Sequence, residues 1–90
     1  MLESKRQTAV KKYAESIGFI VIKTIRLSEA GHADLFMFRH GKTIFIEMKQ
    51  PGQDLGPLQK IRQAQLRGTG FVYERCEDVK QFKEIIFKHG

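Results

Sequence analysis

The sequence predicts an α/β domain of order αβββαβα, with a mixed sheet flanked by helices. Three observations lead there. Apolar residues recur at helical spacing near both ends of the chain and again after Pro57. Short runs rich in Ile, Val and Phe lie between these segments, bounded by Gly, Asp and Pro. A tight turn at His40 and Gly41 joins two of the runs as an antiparallel hairpin, whereas the last run returns through a helix, the connection a parallel pair requires.

From Leu2 to Ser16, Val10, Tyr13, Ala14 and Ile17 follow a helical period, basic residues fill much of the rest, and Gly18 stands where a C′ glycine ends a helix. Phe19 to Leu27 reads as a strand, SEAGH as a loop and Ala33 to Arg39 as a second strand. His40 and Gly41 turn the chain into the third, Lys42 to Lys49. QPGQDLGP is loop, and Pro57 suits the first turn of a helix running to about Arg67, where Gly68 is expected to stop it. Gly70 to Glu74 reads as a short fourth strand. Val79, Phe82, Ile85 and Ile86 place a closing helix over Asp78 to Lys88. No repeat or linker divides the chain, so residues 1–90 are read as one domain.

Ninety residues with 41% hydrophobic content support only a modest core, so association with a second chain is an expectation from size alone. Sixteen Lys and Arg against ten Asp and Glu give a net charge of +6, which favours a polyanionic partner. The single cysteine, Cys76, excludes an internal disulfide, and the lack of any CxxC or Cys/His cluster argues against zinc. No apolar run approaches the roughly 20 residues of a membrane helix, and MLESKRQTAV lacks the apolar core of a signal peptide. A cytoplasmic protein without a membrane partner is expected.

The chemistry lies in IFIEMKQPG, Ile44 to Gly52. Strand side chains alternate faces, so Glu47 and Lys49 share a face with Phe45, and Ile44, Ile46 and Met48 take the other. The hairpin brings Asp34 beside Glu47. Two carboxylates held together repel and raise one pKa unless a cation lies between them, and hard oxygen ligands suit Mg²⁺ or Mn²⁺. A plainer reading makes Asp34 a turn cap and the Glu47/Lys49 pair a solvated face. Against it, apolar residues occupy both faces of the strand, so the charges should line a cleft. Glu3 also falls, at about 100° per residue, on the side of the first helix that carries Val10, Ala14 and Ile17.

Taken in order, Glu3, GHADL at Gly31 to Leu35, IEMK at Ile46 to Lys49 followed by PG, and LGPLQ at Leu55 to Gln59 resemble the VRR-NUC family of the PD-(D/E)XK nuclease superfamily. The resemblance runs almost end to end and is to the minimal, stand-alone form. Ala33 stands where the family usually has proline, and Gly56 where serine is common; both departures bear on loop shape and helix capping more than on ligand chemistry. The resemblance implies a restriction-endonuclease-like core and a Mg²⁺- or Mn²⁺-dependent endonuclease that hydrolyses DNA phosphodiesters. Asp34 and Glu47 would bind the metal with the backbone carbonyl of Met48, and Glu3 would complete its shell through water. Lys49 would orient the attacking water or stabilise phosphate charge, with Gln59 beside it. Similarity to junction resolvases implies a homodimer acting on branched DNA such as Holliday junctions or flaps.

Basic residues recur on all three helices, and solvated faces account for most of them. Lys5, Lys11, Lys12, Lys60 and Arg62 are the candidates for phosphate contact, and His32 is either another or a plain loop residue. No helix-turn-helix or aromatic RNP pattern occurs, which favours recognition by shape. Two other readings remain: a catalytically inactive DNA-binding module whose acids pair with Lys49, and a dimerisation scaffold whose charge serves solubility.

Overall fold

A computed structural model describes residues 3–24 and 33–89. Helix α1 spans Glu3–Ser16, followed by strands β1 (Ile20–Lys23), β2 (Leu35–Arg39) and β3 (Lys42–Met48), helix α2 (Pro57–Gly68), strand β4 (Val72–Cys76) and helix α3 (Val79–His89). The expected order αβββαβα is the order observed. The strands form one sheet in the sequence β1-β2-β3-β4, antiparallel across the first two pairs and parallel between β3 and β4.

Local chemistry explains the element ends. Gly18 adopts φ 97°, its N–H bonds to the carbonyl of Glu15 at 3.1 Å, and Phe19 N–H reaches Ala14 at 3.0 Å, the paired bonds of a Schellman end. His40 and Gly41 both take positive φ, 50° and 76°, which matches the two-residue turn that a twisted hairpin needs. At the start of α3, Asp78 Oδ1 accepts the N–H of Gln81 at 2.9 Å and so caps the helix.

The boundaries of α2, β4 and β2 differ from expectation. Gly68 does not stop α2; Gly70 does, at φ 90°, with Gly70 N–H on Arg67 and Phe71 N–H on Leu66, both at 3.0 Å. Completing this second Schellman end uses Thr69, Gly70 and Phe71, so β4 runs Val72–Cys76 rather than from Gly70 to Glu74. Strand β2 begins at Leu35 rather than Ala33: the Asp34 carbonyl still takes a ladder-like backbone bond from Thr24, but the Ala33 carbonyl is engaged by a side chain, that of Thr24. Its hydroxyl reaches Ala33 at 2.8 Å and its N–H reaches Asp34 at 2.8 Å. The first strand is described as Ile20–Lys23, and the part expected to reach Leu27 lies outside the described residues.

Each face of the sheet carries its own core. Ile44, Ile46 and Met48 pack with Leu35, Met37, Cys76 and the inner sides of α1 and α3, namely Val10, Ala14, Phe82 and Ile85. Tyr73, Ala33 and Leu55 form a smaller cluster on the opposite face with Phe36, Phe45 and Leu66 of α2. Strand β3 is therefore covered on both faces, and whatever follows Phe45 on its side must lie beneath or beside α2.

Candidate active site

The register that pairs Leu35 with Ile46 sets Asp34 and Glu47 opposite one another when extended by one step. Asp34 Oδ2 accepts the backbone N–H of Met48 at 2.8 Å, which fixes that carboxylate against the end of β3. Glu47 is only 5% exposed. Its Oε2 accepts Gln59 Nε2 at 2.8 Å and lies 3.8 Å from Lys49 Nζ. Gln59 Oε1 in turn accepts the N–H of Gly56 at 2.9 Å, so one side chain both caps α2 and restrains the acid. The structure thus brings together Asp34, Glu47, Lys49 and Gln59. The resemblance set Gln59 beside the lysine, and here it is bonded to the glutamate.

Burial pushes the Glu47 carboxyl up to about 8, and the charge of Asp34 adds to the shift, while Lys49 and the Gln59 hydrogen bond work against it. Glu47 Oε1 is buried and accepts no hydrogen bond among the described residues, although the protonated carboxyl can bond to Asp34, which also raises its pKa. An acid left in this state is unfavourable unless a proton or a cation joins it. Among the described residues there is no group of three or more His, Cys, Asp or Glu that could hold a metal ion. Two carboxylates with the adjacent Met48 backbone make an all-oxygen donor set. Such a set fits Mg²⁺ or Mn²⁺, which keep several waters, and does not fit a closed zinc site.

Two neighbours escaped the reading of the sequence. Tyr73 is fully buried opposite Phe45 on the α2 side, and its phenol is pushed upward first by burial and then by Glu47 and Asp34, with Arg62 opposing. Arg75 is the β4 partner of Glu47; its Nη2 binds Glu77 at 2.9 Å and the carbonyl of Gln50 at 3.3 Å. Together with the Lys49 N–H on Cys76 at 2.9 Å, this holds the backbone on both sides of Lys49. Only the parallel register of β3 and β4, set by the helical crossover, could have pointed to either residue.

The remaining candidates are dispersed. Glu3 opens α1, a helix that packs on the face of the sheet opposite Glu47, and its side chain lies outside the described residues, as does His32. Lys5 and Lys12 are exposed on α1, and Lys11 pairs with Glu15 at 3.0 Å. Lys60 and Arg62 ride on α2, the helix that delivers Gln59; Lys60 pairs with Asp54 at 3.0 Å and Arg62 donates to Gln65 at 3.0 Å. Such exposed pairs are worth little and exchange readily for a phosphate. The thiol of Cys76 is buried and pushed up to about 12, chiefly by desolvation, which removes it as a nucleophile. No helix among the described residues is long and apolar enough to cross a membrane.

No family model and no curated protein sequence matches the chain. A solved structure described as a VRR_NUC domain superposes with a TM-score of 0.84 at 24% identity, covering 93% of this chain and 92% of that one. Such a likeness, over nearly the whole of both chains, shows the fold. The chain therefore has the fold of that domain, a mixed four-stranded sheet flanked by helices, as expected from the order of elements in the sequence.

Proposed function

We propose that the protein is a divalent-metal-dependent endonuclease that hydrolyses DNA phosphodiester bonds. One observation carries this reading: Glu47, buried and with one oxygen unpartnered, is held against Asp34 beside a lysine. A carboxylate pair of this kind is costly to a small fold and is expected where a cation is to be bound. Asp34 and Glu47 would hold Mg²⁺ or Mn²⁺ with the Met48 carbonyl, and Glu3 would contribute through water. When bound, such an ion lowers the pKa of coordinated water and draws charge from the phosphoryl oxygens.

The chain supplies the rest. Asp34 is oriented by the Met48 N–H and Glu47 by Gln59, so neither carboxylate has to reorganise when the phosphate arrives. Lys49 aligns the attacking water and offsets the negative charge that builds as the water oxygen bonds to phosphorus and the bridging P–O bond breaks. The attacking water gives up a proton to solvent as its bond to phosphorus forms, and the leaving oxygen departs with a proton from solvent. Lys60, Arg62 and the α1 lysines Lys5, Lys11 and Lys12 are assigned to the flanking phosphates, with His32 at the loop. The +6 charge supports this partner, and recognition of branched DNA by a homodimer is the form of the activity we favour.

Incubating the protein with a labelled four-way junction and a matched linear duplex, in Mg²⁺, Mn²⁺ or EDTA, tests the reading. Cutting that needs the metal and disappears in Glu47→Ala supports it. Salt-sensitive binding without cutting in either metal overturns it in favour of the DNA-binding module.

A further inference from the structure

A second polar and aromatic surface lies at the far end of the sheet. The α2 and α3 C-terminal turns converge there with the starts of β3 and β4, around a groove of about 340 Å³ lined by Lys42, Thr43, Phe71 and His89. An adjoining hollow of about 400 Å³ shares Phe71 and His89 and adds Arg67 and Lys88. Four to five residues of β3, at about 3.3 Å per residue, put roughly 13–17 Å between this end and Glu47. The two sites are distinct.

Phe71 forms the wall. It is thrown to the head of β4 by the positive φ of Gly70, meets Phe45 edge-on at 5.8 Å between ring centroids, and remains 43% exposed. Around it the charges do not balance. Among the described residues, Glu74 alone receives Arg67, Lys88 at 3.8 Å and His89 Nε2 at 3.1 Å, while Lys42 Nζ is held on the His89 carbonyl at 2.8 Å. The side chains of Arg67 and Lys88 stay 50% and 70% exposed. Complementing the negative ends of two helices accounts for part of this basic cluster, but that role needs neither an exposed ring nor a groove.

We propose that this groove binds an unpaired nucleotide of a DNA strand, with the base against Phe71 and its phosphate among Lys42, Arg67 and Lys88. Stacked bases inside a duplex do not offer a face to a side chain, whereas those of a single strand do, and aromatic rings flanked by cations are the general means of holding them. The size of the groove suits one nucleotide. The partner's class rests on the nucleic-acid reading above; the position and the preference for an unpaired base do not.

Fluorescence anisotropy in EDTA, which prevents cutting, tests it with a duplex bearing a single-stranded tail, the blunt duplex and a free nucleoside monophosphate. Wild type should bind the tailed duplex more tightly than the blunt one. Phe71→Ala should weaken tailed binding about tenfold and abolish the difference, and Lys88→Gln should lower the salt slope by about one. Phe71→Leu, which keeps apolar packing on Phe45, should lose the same preference and guards against a folding defect in the alanine variant. Binding of the free nucleotide that competes with the tail supports the groove as a nucleotide site; tail binding unaffected by free nucleotide supports a strand site that needs flanking phosphates. Equal tailed and blunt affinity in wild type, or variants that keep the preference, overturn the inference while leaving the nuclease reading intact. No salt-dependent DNA binding by wild type overturns both.

Discussion

Replacing Glu47 by glutamine should stabilise the metal-free protein at alkaline pH. The carboxyl is raised from 4.5 to about 8, so between these values the folded chain holds a proton that the unfolded chain has released. Stability from this group is therefore complete below about pH 4.5 and is lost as pH rises through about 8. A shift of this size, at about 1.4 kcal/mol per unit, sets a ceiling on the order of 5 kcal/mol. Relaxation and water entry around a buried charge reduce it, and about 2 kcal/mol is the working figure. Glutamine is neutral at every pH and can still accept from Gln59. In a domain of this size 2 kcal/mol corresponds to roughly 10 °C in Tm. Thermal unfolding in EDTA from pH 4.5 to 9 should show wild type and Glu47→Gln close together at the acid end and about 10 °C apart at pH 9, the variant higher. Adding Mn²⁺ at pH 8 should raise wild type and not the variant. A wild-type to variant difference that stays flat across this range would refute the argument that the acid is desolvated and uncompensated.

Lys49→Ala and Asp34→Ala should keep the fold, read by circular dichroism, and lower cleavage by at least about 100-fold; full activity in either would remove that residue from the site. For Gln59→Ala, the loss of its bonds to both Glu47 and Gly56 should reduce kcat about 10- to 100-fold and stability by about 1 kcal/mol, measured by single-turnover cleavage and urea unfolding. The two glycines after α2 should behave in opposite ways under urea. Gly70→Ala, at φ 90°, should destabilise by about 1–2 kcal/mol, whereas Gly68→Ala, a helical position where an added Cβ meets nothing within 4 Å, should be neutral or stabilising by up to about 1 kcal/mol.

Much of the architecture was legible because it is local. The helical spacing of Val10 and Ala14, the His40–Gly41 turn and the Ile44, Ile46, Met48 alternation each depend on residues a few positions apart, and all are found as expected. The hairpin is also local, so the meeting of Asp34 with Glu47 could be read from the turn that joins their strands. The α2 and β4 boundary errors have one origin. Glycines at 68 and 70 look alike in a sequence, and only the backbone that closes α2 selects the one at positive φ.

Apolar residues on both faces of β3 placed the charges in a cleft, but the depth of their burial was not legible, since it depends on elements that meet from a distance. Gln59 reaches Glu47 across a loop, and Tyr73 and Arg75 come alongside it through the parallel β3–β4 pair, whose register no adjacent turn determines. The sequence by itself determined the element order, the mixed sheet and the pairing of two acids with a lysine, because periodicity and a two-residue turn are short-range properties. Only the tertiary structure decided that α2 would close over that face and leave Glu47 desolvated beside Asp34. Burial is a sum over all the elements that surround a group, and no single segment contains that sum.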